Sequence, residues 1–137
     1  MEHHLGRLID HVHLLVRDLG ASRRFYEAVL GVLGRPLGGS GEDHFWADEL
    51  YVGRGGTPTT RPHLALQARD REAVHRFHAA ALAAGGRDNG GPGERAYHPG
   101  YYAAFALDPD GNNVEAVHHG PVLRSAESVV VTPEPER

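Results

Sequence analysis

Three side chains are of the right type to hold a divalent cation between them: His11, His63 and Glu115. Imidazole nitrogen and carboxylate oxygen suit the first-row metals, and two imidazoles with one carboxylate form a facial set that leaves coordination positions open. Neutral histidines and one carboxylate leave a 2+ ion with about one unit of formal positive charge, so it can accept an anionic substrate through two neighbouring oxygens. Such a centre polarises C–O bonds and stabilises enolate or alkoxide charge as it develops. With iron, it can also bind dioxygen beside the substrate. The donor set does not separate Fe, Mn, Zn, Ni and Co. With 11 histidines and 18 acidic residues in the chain, only position can single out these three.

Position comes from an internal repeat. Shifted by 52 residues, the sequence matches itself at 11 of the 25 positions from 11 to 35. His11 falls on His63, Leu14 on Leu66, Arg17-Asp18 on Arg69-Asp70, Ala21 on Ala73, and Arg24-Phe25 on Arg76-Phe77. Ala28, Leu30 and Gly34-Arg35 meet Ala80, Leu82 and Gly86-Arg87. Each copy reads as an apolar strand, over residues 8–16 and 62–68, that ends at an aspartate able to cap a helix. Ala21, Phe25, Ala28 and Val29 then form an apolar stripe at helical spacing, as do Ala73, Val74, Phe77, Ala80, Ala81 and Ala84. Glycines 34 and 85–86 terminate the two helices. Short strand candidates follow at 45–47 and 50–52 in the first copy and at 101–107 and 113–118 in the second.

The expected fold is therefore α+β, a βαβββ unit used twice. The modules span about 7–54 and 62–119, with a Gly, Thr and Pro-rich linker at 54–62 and a mobile tail over 121–137. Pseudo-twofold symmetry would bring His11 and His63 together across a shared cleft, and Glu115 sits on the closing strand of the second module. Alternation puts His13 on the same side of its strand as His11, as a pocket-wall residue or an acid–base group. Phe45 and Trp46 read as pocket wall or core. His75 and His78 read as a solvated helix face, His118-His119 as an exposed strand end, and glycines 90–93 as a loop without a phosphate-binding pattern.

Bulk properties exclude several classes. The 137 residues fit one domain, the net charge of −4 offers no basic track for nucleic acid, and no apolar run is long enough for a membrane span. No cysteine is present, so thiolate chemistry is excluded. The first residues lack the basic and apolar regions of a secretion signal, which gives a cytoplasmic expectation.

Ile9-Asp-His11-Val, Phe25-Tyr26 with Leu30-Gly31, Pro62-His63-Leu-Ala-Leu and Asp108-Pro-Asp-Gly-Asn-Asn-Val-Glu115 resemble the vicinal oxygen chelate superfamily, also called the glyoxalase/bleomycin resistance/dioxygenase group. The resemblance covers about residues 7–119. It implies paired βαβββ modules forming a cupped mixed sheet around a metal, frequently in a homodimer, with His11, His63 and Glu115 as ligands. Glu49 falls near the place of a fourth ligand in glyoxalases, and equally reads as a surface glutamate. His98, Tyr101 and Tyr102 fall in a segment that covers substrate in such proteins, and equally read as core or dimer contacts. The function implied is a metal-dependent lyase, isomerase or extradiol-type dioxygenase acting on a small oxygen-rich molecule. The alternative is a sequestration protein that stacks an aromatic natural product on Phe45, Trp46, Tyr101 and Tyr102 without chemistry. A fosfomycin-type transferase would lack any lysine contact to a phosphonate, because every cationic residue is arginine.

Overall fold

In the computed structural model, which describes residues 3–6, 9–60 and 62–135, both Arg-Asp pairs end a strand and start a helix. Arg7 at the start of the expected first module, Leu8 of its expected first strand and Arg61 of the linker lie outside the described residues. Asp18 accepts a hydrogen bond from the Ala21 N–H at 3.0 Å and Asp70 from the Ala73 N–H at 2.7 Å, which satisfies helix-start donors that would otherwise lack a partner. The elements run β1 (His3–Leu5), β2 (Val12–Leu15), α1 (Leu19–Val32), β3 (Gly39–Ser40), β4 (His44–Ala47) and β5 (Leu50–Gly53). They continue with β6 (His63–Gln67), α2 (Arg71–Ala83), β7 (Arg87–Glu94), β8 (Tyr102–Leu107), β9 (Asn113–His118) and β10 (Val129–Val131). The repeated βαβββ unit is thus observed, as two four-stranded mixed sheets in the orders β2-β5-β4-β3 and β6-β9-β8-β7. In each, the first strand lies at the edge and pairs in parallel with the last.

One face of each sheet packs on its helix. In the first module Leu14, Phe45 and Val52 meet Phe25, Tyr26 and Val29, all at most 1 % exposed. In the second, Ala104, Ala106, Val114 and Ala116 lie under Val74, Phe77 and Ala81, and the small alanines let α2 approach the sheet closely. The helices pack against each other and join the modules into one core. The seam carries a buried polar contact: the Tyr26 hydroxyl donates to Asp108 Oδ2 at 2.6 Å, with both residues buried.

Asp108 also builds the turn that aims β9. Its Oδ1 accepts from the Asp110 and Asn112 N–H groups at 2.9 and 2.8 Å, its Oδ2 also accepts from the Asn112 side-chain amide at 2.9 Å, and Gly111 supplies a φ of +86°. Leu107 is thereby set opposite Asn113, and Phe105 opposite Glu115.

Two segments differ from expectation. The glycines at 90–93 belong to strand β7 rather than to a loop, because β7 pairs with β8 through register shifts between Asp88 and Gly90 and between Gly90 and Gly93. A Cβ at Gly90 would stand 3.2 Å from the Phe105 ring, and its φ is +143°. Within the expected tail, Val129–Val131 pair antiparallel with β1.

Candidate functional site

The sheet face turned away from the helices gathers His63, Glu115 and Tyr101. On β6 the alternation leaves Leu64 and Leu66 partly buried against the core and His63, Ala65 and Gln67 exposed on the other side. Ala65 stands opposite Glu115, so alternation puts Glu115 on that same open face. His63 Nε2–H donates to Glu115 Oε1 at 2.8 Å. The Tyr101 hydroxyl donates to Oε2. Glu115 is only 2 % exposed, and a carboxylate buried to that degree persists because both oxygens have donors. Partial burial, followed by the hydrogen bond to Glu115 and its charge, pushes the Tyr101 phenol up to about 12. Tyr101 therefore remains a proton donor through the physiological range.

Two histidines hold Tyr101 in place. His98 and His119 present their rings to it at 5.3 and 5.1 Å, both near perpendicular, and bond each other through His98 Nε2 and His119 Nδ1 at 2.8 Å. His98 Nδ1 donates to the Pro99 carbonyl at 2.8 Å, so in the neutral pair His119 Nδ1–H donates to His98 Nε2. The Arg95 N–H bonds the Tyr101 carbonyl at 2.9 Å, and its guanidinium lies 5.3 Å from the Phe105 ring beside His63. His119 is exposed just past the end of β9, as expected, and its ring also reaches Tyr101 beside Glu115. A fold-back of residues 95–101 onto the end of β9 has no local signature in the sequence.

The corresponding face of the first module is aromatic. His13 and Tyr51 are register partners with rings edge to face at 4.9 Å, and His44 stacks on Tyr51 at 5.3 Å and 5°. Trp46 lies against Gly38 and Gly39, where a Cβ would come within 2.3 Å of the indole, so much of its surface covers the edge strand. Phe45, its neighbour, points into the core by alternation and is not a wall of this face. Tyr102 likewise points to the helix side, where its hydroxyl meets His75 Nε2 at 2.6 Å and its ring lies beneath Arg71. His78 pairs with Asp88 at 2.8 Å, so both helix histidines tie α2 to the sheet rather than to each other.

His11 precedes β2, with its side chain 66 % exposed and Nδ1 at 2.7 Å from its neighbour Asp10. Among the described residues no three His, Asp or Glu side chains converge on one point. The donors of the second module nevertheless suit a divalent cation, since an imidazole nitrogen and a buried carboxylate oxygen already share one face at contact distance. Glu49 hydrogen-bonds through its carbonyl to Val12 N–H, one residue beyond the pair Val12 and Leu50, which sets it opposite His11. It borders a cavity of about 390 Å³ between the modules, together with Arg35, Gln67 and Arg124. Burial, then the charge of Asp48, raises its pKa.

A sequence model of the glyoxalase/bleomycin resistance protein/dioxygenase superfamily matches residues 34–116. No functionally curated protein matches the chain. Among solved structures, a glyoxalase/bleomycin resistance protein from Albidiferax ferrireducens T118 is 33 % identical over 82 % of this chain and 99 % of its own, with a TM-score of 0.71. A glyoxalase-related enzyme from Fulvimarina pelagi shares the fold at 19 % identity, covering 94 % of this chain and 100 % of its own with a TM-score of 0.69. A glyoxalase/bleomycin resistance protein/dioxygenase family enzyme from Burkholderia phytofirmans PsJN does so at 22 % identity, 80 % and 97 % coverage, and a TM-score of 0.64.

Proposed function

Because the chain belongs to the glyoxalase/bleomycin resistance protein/dioxygenase superfamily, we propose that it is a divalent-metal-dependent enzyme that binds a small substrate through two neighbouring oxygens. The observation that carries this reading is the His63–Glu115 contact at 2.8 Å on the open sheet face, with the Tyr101 hydroxyl on the remaining carboxylate oxygen. His63 and Glu115 supply two ligands and His11 the third. In one chain His11 is exposed and bonded to Asp10, and β2 and β6 are both sheet edges. The reading therefore takes His11 from a second copy, in a homodimer whose sites are shared.

The bound cation would supply Lewis acidity to the chelated oxygens. The rest is done by the protein. Glu115 brings a negative charge that its burial keeps from being screened by water. Tyr101, through its hydrogen bond to Oε2, fixes the carboxylate's orientation. His98 and His119 hold Tyr101 in that orientation.

Elemental analysis of the purified protein, followed by chelation and add-back of Fe, Mn, Zn, Ni and Co, tests the reading. About one ion per chain is expected, lost in His63→Ala and in Glu115→Ala. Mixing His11→Ala with Glu115→Ala protein after reversible dissociation should restore one site per dimer if ligands come from two chains. A wild-type protein that takes up no divalent ion would defeat the proposal and leave ligand binding without chemistry as the better account of the aromatic first-module face.

A further inference from the structure

The two modules are not equal at the place where a fourth protein ligand could enter. The repeat puts His11 on His63, and strand pairing extends that equivalence to the closing strands. Ala65 pairs with Glu115 in the second module, and its counterpart His13 pairs with Tyr51 in the first. Tyr51 thus holds the place of Glu115, whereas Glu49 corresponds to Asn113. The Tyr51 ring is fixed on two sides, stacked on His44 at 5.3 Å and met by the His13 edge at 4.9 Å. Its hydroxyl makes no hydrogen bond among the described residues. A phenol whose ring is clamped and whose donor is unspent has little rotamer freedom left to lose when it meets a ligand.

We propose that Tyr51 is the first module's contact to the substrate, donating a hydrogen bond to one of two neighbouring oxygens of a catechol-like or enediol-like ligand, and that it replaces a fourth protein ligand. This rests on the metal-site reading above. The centre then has three protein ligands, His11, His63 and Glu115, and keeps adjacent positions for a bidentate substrate. Its substrate is a planar diol or its oxidised equivalent rather than a ligand held through one oxygen. His44 and His13 are positioning residues that act through Tyr51.

The test uses the full-length metal-loaded protein and 4-nitrocatechol, whose absorption changes on bidentate chelation. Tyr51→Phe should retain its metal and its melting temperature while the Kd for 4-nitrocatechol rises about five- to tenfold, the loss of one hydrogen bond. His44→Ala, which removes the stack and leaves the phenol, should give a smaller rise at unchanged metal content. Tyr51→Glu should hold its metal longer against a chelator and bind the catechol worse. Loss of metal in Tyr51→Phe would make Tyr51 a ligand, and loss in Glu49→Gln would give the fourth place to Glu49; either overturns the assignment. Unchanged catechol affinity in Tyr51→Phe, with metal retained, overturns it too. Failure of the underlying reading is seen separately, as a wild-type protein that holds no metal, and the assignment falls with it.

Discussion

Removing the Tyr26 hydroxyl should loosen the seam between modules by a calculable amount. Tyr26 on α1 and Asp108 at the head of β9 are both buried, and the 2.6 Å bond between them is one of four that the Asp108 carboxylate accepts. A hydrogen bond to a charged group contributes about 1.5–3 kcal/mol. In Tyr26→Phe, Asp108 Oδ2 keeps the Asn112 amide, so no acceptor is left bare and the loss belongs at the lower end, about 1.5–2 kcal/mol. At about 4 °C per kcal/mol for a chain of this size, the melting temperature should fall by about 6–8 °C. The loss should also depend on pH in a defined sense. Burial, then the Asp108 charge and hydrogen bond, raises the Tyr26 pKa. Its contribution is therefore complete below the ordinary tyrosine value and is lost as pH rises through the higher folded value. Melting of chelator-treated wild type and Tyr26→Phe, followed by circular dichroism, should differ by a constant amount from pH 6 to 9 and by less above about pH 10. A difference under about 1 °C at neutral pH, or one that does not shrink at high pH, would refute the description of this bond as a stabilising contact between modules.

Other substitutions probe the same framework. Asp108→Ala leaves the Tyr26 hydroxyl, the Asn112 amide and two backbone N–H groups without their acceptor. It should cost about 3 kcal/mol or more, read as a lower urea midpoint. Gly86→Ala would place a Cβ 2.6 Å from the Phe25 ring and 2.7 Å from the Ala81 carbonyl. Overpacking of about 1–3 kcal/mol is expected, measurable in the same urea titration. Tyr101→Phe takes one donor from the buried Glu115 carboxylate and should destabilise the metal-free protein by about 1–2 kcal/mol. Asp88 is held below the usual carboxylate range by the Gly90 N–H and then by His78. Its stabilising effect is present above the ordinary aspartate pKa and lost as pH falls through the lowered one. The melting gap between wild type and Asp88→Asn should thus be present at pH 6 and close on acidification; a gap that widens would contradict the assignment.

The fold was legible because the repeat writes it twice. Two Arg-Asp pairs at the same distance from two histidines, each followed by an apolar stripe at helical spacing, mark a strand and a helix start with a local cause. Strand β7 was not legible, since glycines at 90–93 carry no alternation and its pairing with β8 runs through register shifts; Phe105 packs over Gly90 alone. Strand β10 was missed because its pairing depends on β1 at the other end of the chain.

By type and position, the sequence alone determined that His63 lies on the first strand and Glu115 on the closing strand of one module, and that His11 is the counterpart of His63; that these two strands are neighbours came from the structure. Alternation also required Tyr101 and Tyr102 to face opposite sides. Which of them meets Glu115 was decided by the fold-back of residues 95–101, where His98 bonds His119 over a separation of 21 residues. Likewise, Tyr51 rather than Glu49 stands in the place of Glu115 because parallel pairing of β2 with β5 sets the register. Register and fold-back arise from hydrogen bonds between residues distant in the chain. Composition and periodicity, being local, fix the face on which a side chain stands but not its partner across the strand.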